Sequence, residues 1–162
     1  MTDATTRRRF SWSADDGFIG GIETLPFGLL VFVVGTLLVA NAWAVVDAKL
    51  ASASAAHEAA RVYVETVVGG DSGPAARAAG VAAVDAIEGH GRDPERMTFT
   101  ITPGGAAGRC QPIEVTVTYR VPTLTVPLVG GFGQGFTVRA TDSEIIDPFR
   151  NDVARGPGPP CR

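Results

Sequence analysis

Three hydrophobic periods follow one another along the chain. From Leu25 to Ala40 the sequence is apolar except for Thr36 (LPFGLLVFVVGTLLVA). Extended by Thr24 on one side and Asn41 to Val46 on the other, the run reaches the ~20 residues a helix needs to cross ~30 Å of hydrocarbon. It predicts one transmembrane helix. Beyond Val46, Leu50, Ala53, Ala56, Ala60, Val64 and Val67 keep helical spacing, while Asp47, Ser54, Glu58, Arg61 and Glu65 supply a polar face. The same helix is therefore predicted to continue to about Val68. Gly69-Gly70-Asp71 ends it, and Ser72-Gly73-Pro74 starts a second, shorter helix, with Pro74 suited to a first turn where its missing N–H costs nothing. That helix reaches about Glu88 before Gly89-His90-Gly91 closes it.

The period then changes from helical to alternating. Met97, Phe99 and Ile101 alternate with Thr98, Thr100 and Thr102, which predicts a half-buried strand. After the Gly104 to Gly108 loop, Ile113, Val115, Val117, Tyr119 and Val121 alternate with Glu114, Thr116, Thr118 and Arg120 and form a natural antiparallel partner. Leu124, Val126 and Leu128 give a shorter alternation beside Pro122 and Pro127, which suit an edge or a bulge. Phe136, Val138 and Ala140 begin a final strand. The fold class is α+β: a long helix, a short helix and an antiparallel sheet of three or four strands.

Charge orients the anchor. Arg7, Arg8 and Arg9 precede the apolar run and Lys49 alone follows it closely, so the N-terminus is predicted to be cytoplasmic and the remainder extracytoplasmic. Ala51-Ser52-Ala53 offers a signal-peptide cleavage site as a competing reading. Against it, the apolar run exceeds the usual ~7–15 residues and the helical pattern continues through the site. The resulting division is a leader over 1–17, an anchor with its lead-in over 18–46, an ectodomain over 47–149, and a disordered Pro/Gly-rich tail over 150–162. Net charge is −3 in 162 residues, and no basic cluster lies beyond the Arg7 to Arg9 triplet, which excludes nucleic acid as a partner. Cys110 and Cys161, both on the oxidising side, are able to form one bridge.

Candidate chemistry is sparse. His57 and Glu58 begin HEAAR, but the second His of a zinc helix is missing four residues on, and His90 stands alone between glycines. Gly130 to Gly135 opens a strand rather than a helix and has no following Lys-Ser/Thr, so it is not a phosphate cradle. No catalytic residue, cofactor or metal ligand is assigned, and the chain is read as a non-enzyme. Small residues do recur every fourth position at Ala40, Ala44, Ala48, Ser52, Ala56 and Ala60, a stripe that permits close approach of a neighbouring helix. Ala's helix propensity alone would also produce it.

A Gly, a few small or apolar residues, a Glu and then a long apolar helix together resemble the class III signal of type IV pilin-like proteins. GFIGGIETLPFGLLVFVVGTLLVANAW followed by DAKLASASAAHEAARVYVE is similar, more closely, to the TadE-like pseudopilins of tight-adherence pilus systems. The resemblance implies a minor pseudopilin or assembly protein, with membrane lipid, other pilin-like subunits, the tight-adherence secretion machinery and a prepilin peptidase as partners. It implies cleavage between Gly17 and Phe18 and a registering role for Glu23. Glu23 would then be sixth in the mature chain, where the family carries its Glu fifth, and Thr24 stands where an aromatic often follows. The alternative is an extracytoplasmic ligand-binding or enzymatic domain on an ordinary signal anchor, unrelated to pili.

Overall fold

A computed structural model of the chain describes residues 24–102, 107–122, 125–126, 130–131 and 135–155. Helix α1, Thr24–Thr66, is unbroken over 43 residues, or about 65 Å at 1.5 Å per residue. Pro26 interrupts nothing, because it falls in the first turn, where backbone N–H groups have no partner within the helix. The helix stops two residues short of Val68. Gly69 and Gly70 adopt positive φ, 63° and 81°, a conformation that glycine enters without steric cost. Helix α2, Ser72–Gly89, follows at once, capped by Asp71, whose carboxylate accepts from the Gly73 N–H at 2.9 Å. His90 is its C-cap, and the Gly91 N–H donates to the Glu88 carbonyl at 2.7 Å.

Strands β1 (Met97–Thr102), β2 (Pro112–Val121) and β5 (Phe136–Ile145) form one antiparallel sheet in the order β1-β2-β5. A separate antiparallel ribbon pairs the two-residue strands β3 (Thr125–Val126) and β4 (Gly130–Gly131). The predicted third alternation and the Gly-rich segment thus pair with each other and stay outside the main sheet. Within that sheet the register sets Phe99 against Val117 and Val117 against Ala140, and Ile101 against Val115 and Val115 against Asp142. One face is accordingly apolar, and Ile113, Val115, Val117, Tyr119 and Val121 are all buried on it. The opposite face carries threonines, among them Thr116 and Thr141, whose hydroxyls bond across the strands at 3.1 Å.

The chain divides into two compact units, Met1–Val39 and Ala40–Arg162. The described part of the first is purely helical. The core of the second joins Ala48, Ala51, Ala55, Ala59 and Tyr63 of α1, Ala75, Ala79, Ala83 and Ile87 of α2, and the inner face of the sheet. Alanines dominate its helical side because a helix can approach a sheet or another helix more closely where side chains are short.

Residues 150–155, expected in the tail, are built into the fold. Val153 is buried, the Asp152 carbonyl accepts from the Gly69 N–H at 2.7 Å, and the Ala154 carbonyl accepts from the Arg109 N–H at 2.9 Å. Arg150 donates to the Val64 carbonyl at the end of α1 and to Asp152, and this bond holds the exposed Asp152 carboxyl below its ordinary pKa. The polar character of 150–155 conceals one apolar anchor and a set of backbone bonds that tie the segment to the α1–α2 turn. Residues 156–162 lie outside the described part.

Candidate functional site

Two stretches of α1 face different surroundings. In the first unit Leu25, Phe27, Leu29, Phe32, Leu38 and Val39 are each 62–73% exposed. At 100° per residue these positions, together with the exposed Leu30, Val31, Val33 and Val34, point to every side of the helix. Burying a Leu, Phe or Val is worth about 1.5–3 kcal/mol, so six of them forgo on the order of 10 kcal/mol in water. The one polar side chain of the run, Thr36, donates its hydroxyl to the Phe32 carbonyl at 2.8 Å, which leaves the segment without a side-chain group that needs water. Among the described residues α1 is the one helix long and apolar enough to cross a membrane.

The small-residue stripe has a different fate along its length. Ala48, Ser52, Ala56 and Ala60 are fully buried within this chain's own second unit, Ala44 is half-buried, and Ala40 is exposed. Ser52 is satisfied inside the helix, donating to the Ala48 carbonyl at 2.8 Å. Close approach at the lower four positions therefore serves the intramolecular core and leaves no surface there for a neighbour's helix. Of the six, Ala40 and Ala44 retain exposed surface.

Polar contacts hold α1 in place along the second unit. Arg92, just past the end of α2, donates through Nε and Nη2 to Asp47 Oδ2 at 3.1 and 2.5 Å and through Nη2 to the Ala44 carbonyl at 3.1 Å. Its guanidinium also lies over the Tyr119 ring, 5.5 Å from the centroid, an arrangement that favours a cation. Lys49 donates to the Arg139 carbonyl of β5. His57 Nδ1 and Asp142 Oδ2 of β5 are 2.8 Å apart. Tyr63 is buried in the core, and burial raises its hydroxyl pKa above the ordinary 10.0. On the exposed side Arg61 bridges Glu58 and Glu65 at 3.0 and 3.6 Å, and the Glu58 bond raises its pKa. That trio is a solvated helix face with helical i, i+3 and i, i+4 spacing.

The remaining predicted residues are placed as follows. Cys110 is disulfide-bonded, with a positive φ of 64° that is uncommon for a residue other than glycine; Cys161 lies outside the described residues. Gly17, Phe18 and Glu23 also lie outside them. Arg92, Asp47 and Asp142 escaped the sequence reading because each stands among ordinary surface charges, and partners 45 and 85 residues away leave no local signature. An open apolar depression over Gly80, bounded by Val81 and Val84 of α2 and Phe99 of β1, was equally invisible. A methyl group at Gly80 would sit 3.0 Å from the Phe99 ring, so glycine there lets the ring lie against the helix. Comparison with protein-family models, curated proteins and solved structures finds no match to this chain.

Proposed function

We propose that the chain is a single-pass, membrane-anchored pseudopilin-like protein of the TadE-like kind, acting as a minor subunit or assembly factor of a tight-adherence pilus. The observation that carries this reading is the division of labour on α1. One unbroken helix exposes large apolar side chains on all sides over Leu25–Val39, then buries Ala48, Ala56 and Ala60 in a small α+β unit. A helix anchored in lipid at one end and built into a folded core at the other ties that domain to the membrane, as a pilin-like subunit requires. The N-terminus is cytoplasmic in this reading and the α+β unit extracytoplasmic, in keeping with the Arg7 to Arg9 triplet.

Neighbouring subunits would meet the apolar stretch and the exposed Ala40, since the lower stripe is already occupied. Membrane association of helices relies on close packing and a few polar contacts, and Glu23 at the lip of the run is the polar group the resemblance singles out. The test is affinity recovery of the full-length protein from detergent-solubilised cell envelopes. Recovery together with a major pilin or a pilus secretion ATPase, weakened by Glu23→Gln, is the expected result. An exported, membrane-anchored protein that recovers no pilin-like subunit, and whose Glu23→Gln form supports piliation normally, would leave an ordinary signal-anchored ectodomain.

A further inference from the structure

At one end of the sheet the inner face of β5 changes from apolar to acidic. Val138 and Ala140 are buried on that face, and the next two inward positions are Asp142 and Glu144. Both carboxylates are half-buried, beside Val115 and Ile113 of β2. His57 reaches them from α1, and the three side chains each offer a ligand atom within 4.8 Å of the other two. Together they present one imidazole nitrogen and two carboxylate oxygens, from two elements, close to one another.

We propose that His57, Asp142 and Glu144 bind one divalent first-row transition ion, with zinc as the probe, and that this ion clasps α1 to β5. The proposal stands independently of the pilus reading. Two carboxylates in adjacent inward positions of one strand repel each other, and one imidazole cannot offset both charges. Asp142 has the His57 contact, whereas Glu144 has neither a hydrogen bond nor an ion pair among the described residues. A dication neutralises both. The imidazole selects for zinc-class ions over Mg2+ and Ca2+, which prefer all-oxygen ligation. Tetrahedral ligation with bonds of about 2.0–2.2 Å sets ligand atoms roughly 3.3 Å apart. The 2.8 Å His57–Asp142 contact would thus open slightly and Glu144 draw inward, movements within reach of partly exposed side chains. Water supplies the fourth ligand. HEAAR offered no second histidine, because the other two ligands lie across the fold and not on the helix.

The test is equilibrium dialysis of chelator-treated, non-reduced full-length protein in detergent against micromolar zinc, followed by thermal melting. One equivalent per chain is expected, with a rise in Tm. Glu144→Gln should lower zinc affinity at least about tenfold, abolish the zinc-dependent rise and melt no lower than wild type without zinc, since no contact of Glu144 is lost and its repulsion of Asp142 is relieved. His57→Ala should also lose binding, and His90→Ala should retain it. Absence of uptake, equal uptake by wild type and Glu144→Gln, or an equal Tm rise with millimolar Mg2+ would each overturn the proposal.

Discussion

Replacing Arg92 by Ala removes the densest polar contact between α1 and the rest of its unit. The Arg92 side chain is only 14% exposed, whereas that of Asp47 is 45% exposed. The two ends of the pair therefore respond differently to its loss. Asp47, once deprived of its partner, is rehydrated at modest cost, and the Ala44 carbonyl retains its helical bond. The full 3–5 kcal/mol that follows when a wholly buried charge is orphaned is thus an upper limit. What is lost is one charge-assisted contact to Asp47, of about 1.5–3 kcal/mol, and the packing of the guanidinium on Tyr119, of about 0.5–1 kcal/mol. Arg92→Ala is expected to cost about 2–4 kcal/mol. At about 4 °C per kcal/mol for a domain of this size, that is a fall in Tm of roughly 8–16 °C.

The assay is thermal melting of the detergent-solubilised protein followed by near-UV circular dichroism, which reports tertiary packing around Tyr63 and Tyr119. Far-UV ellipticity is unsuitable, because the detergent-embedded part of α1 stays helical. Arg92→Lys should recover less than half of the loss, since an ammonium cannot place two N–H groups on one oxygen and lie flat on a ring. A double-mutant cycle with Asp47→Ala should show a coupling of about 1–2 kcal/mol. A loss below about 0.5 kcal/mol for Arg92→Ala, or no coupling to Asp47, would refute the claim that this contact fixes α1.

Alkaline pH should test the Tyr63 environment. Burial raises the folded-state pKa above 10.0, so the folded chain holds the phenolic proton more tightly than the unfolded chain. The stabilisation this represents is complete below about pH 10 and is lost as pH rises through the folded value. Melting temperatures should fall above pH 10, and Tyr63→Phe should remove that part of the fall. For the cysteines, labelling of denatured, unreduced protein from the cell envelope should find Cys110 blocked, and Cys161 blocked with it if the two are paired. Reduction should release two thiols, and a freely labelled Cys110 before reduction would contradict the disulfide.

Much of the secondary structure was legible because its causes are local. Met97–Thr102 and the β2 alternation follow from a two-residue period, and α1 and α2 end where Gly69, Gly70 and Gly91 allow positive φ. The apolar run is equally local, as its composition alone makes it costly in water. Residues 150–155 read as tail in the sequence because Val153 is a single apolar residue among polar neighbours, too little to raise a periodic signal. Its burial depends on backbone groups of Gly69 and Arg109, which no pattern near residue 150 reveals.

What the sequence determined by itself was the class of the fold: a helix long and apolar enough to cross a membrane, leading into an α+β unit. Tertiary structure alone decided how the surfaces of α1 are used. The stripe at Ala48, Ser52, Ala56 and Ala60 reads the same whether it meets another chain or its own sheet, since small residues permit close approach to either; the fold assigns it to the interior. The Arg92–Asp47 contact and the convergence of His57, Asp142 and Glu144 were likewise settled by the register of β2 with β5 and the path of α1. Periodicity records which side of an element is apolar, but a partner across the fold is chosen by packing and charge in three dimensions, and these leave no mark on neighbouring residues.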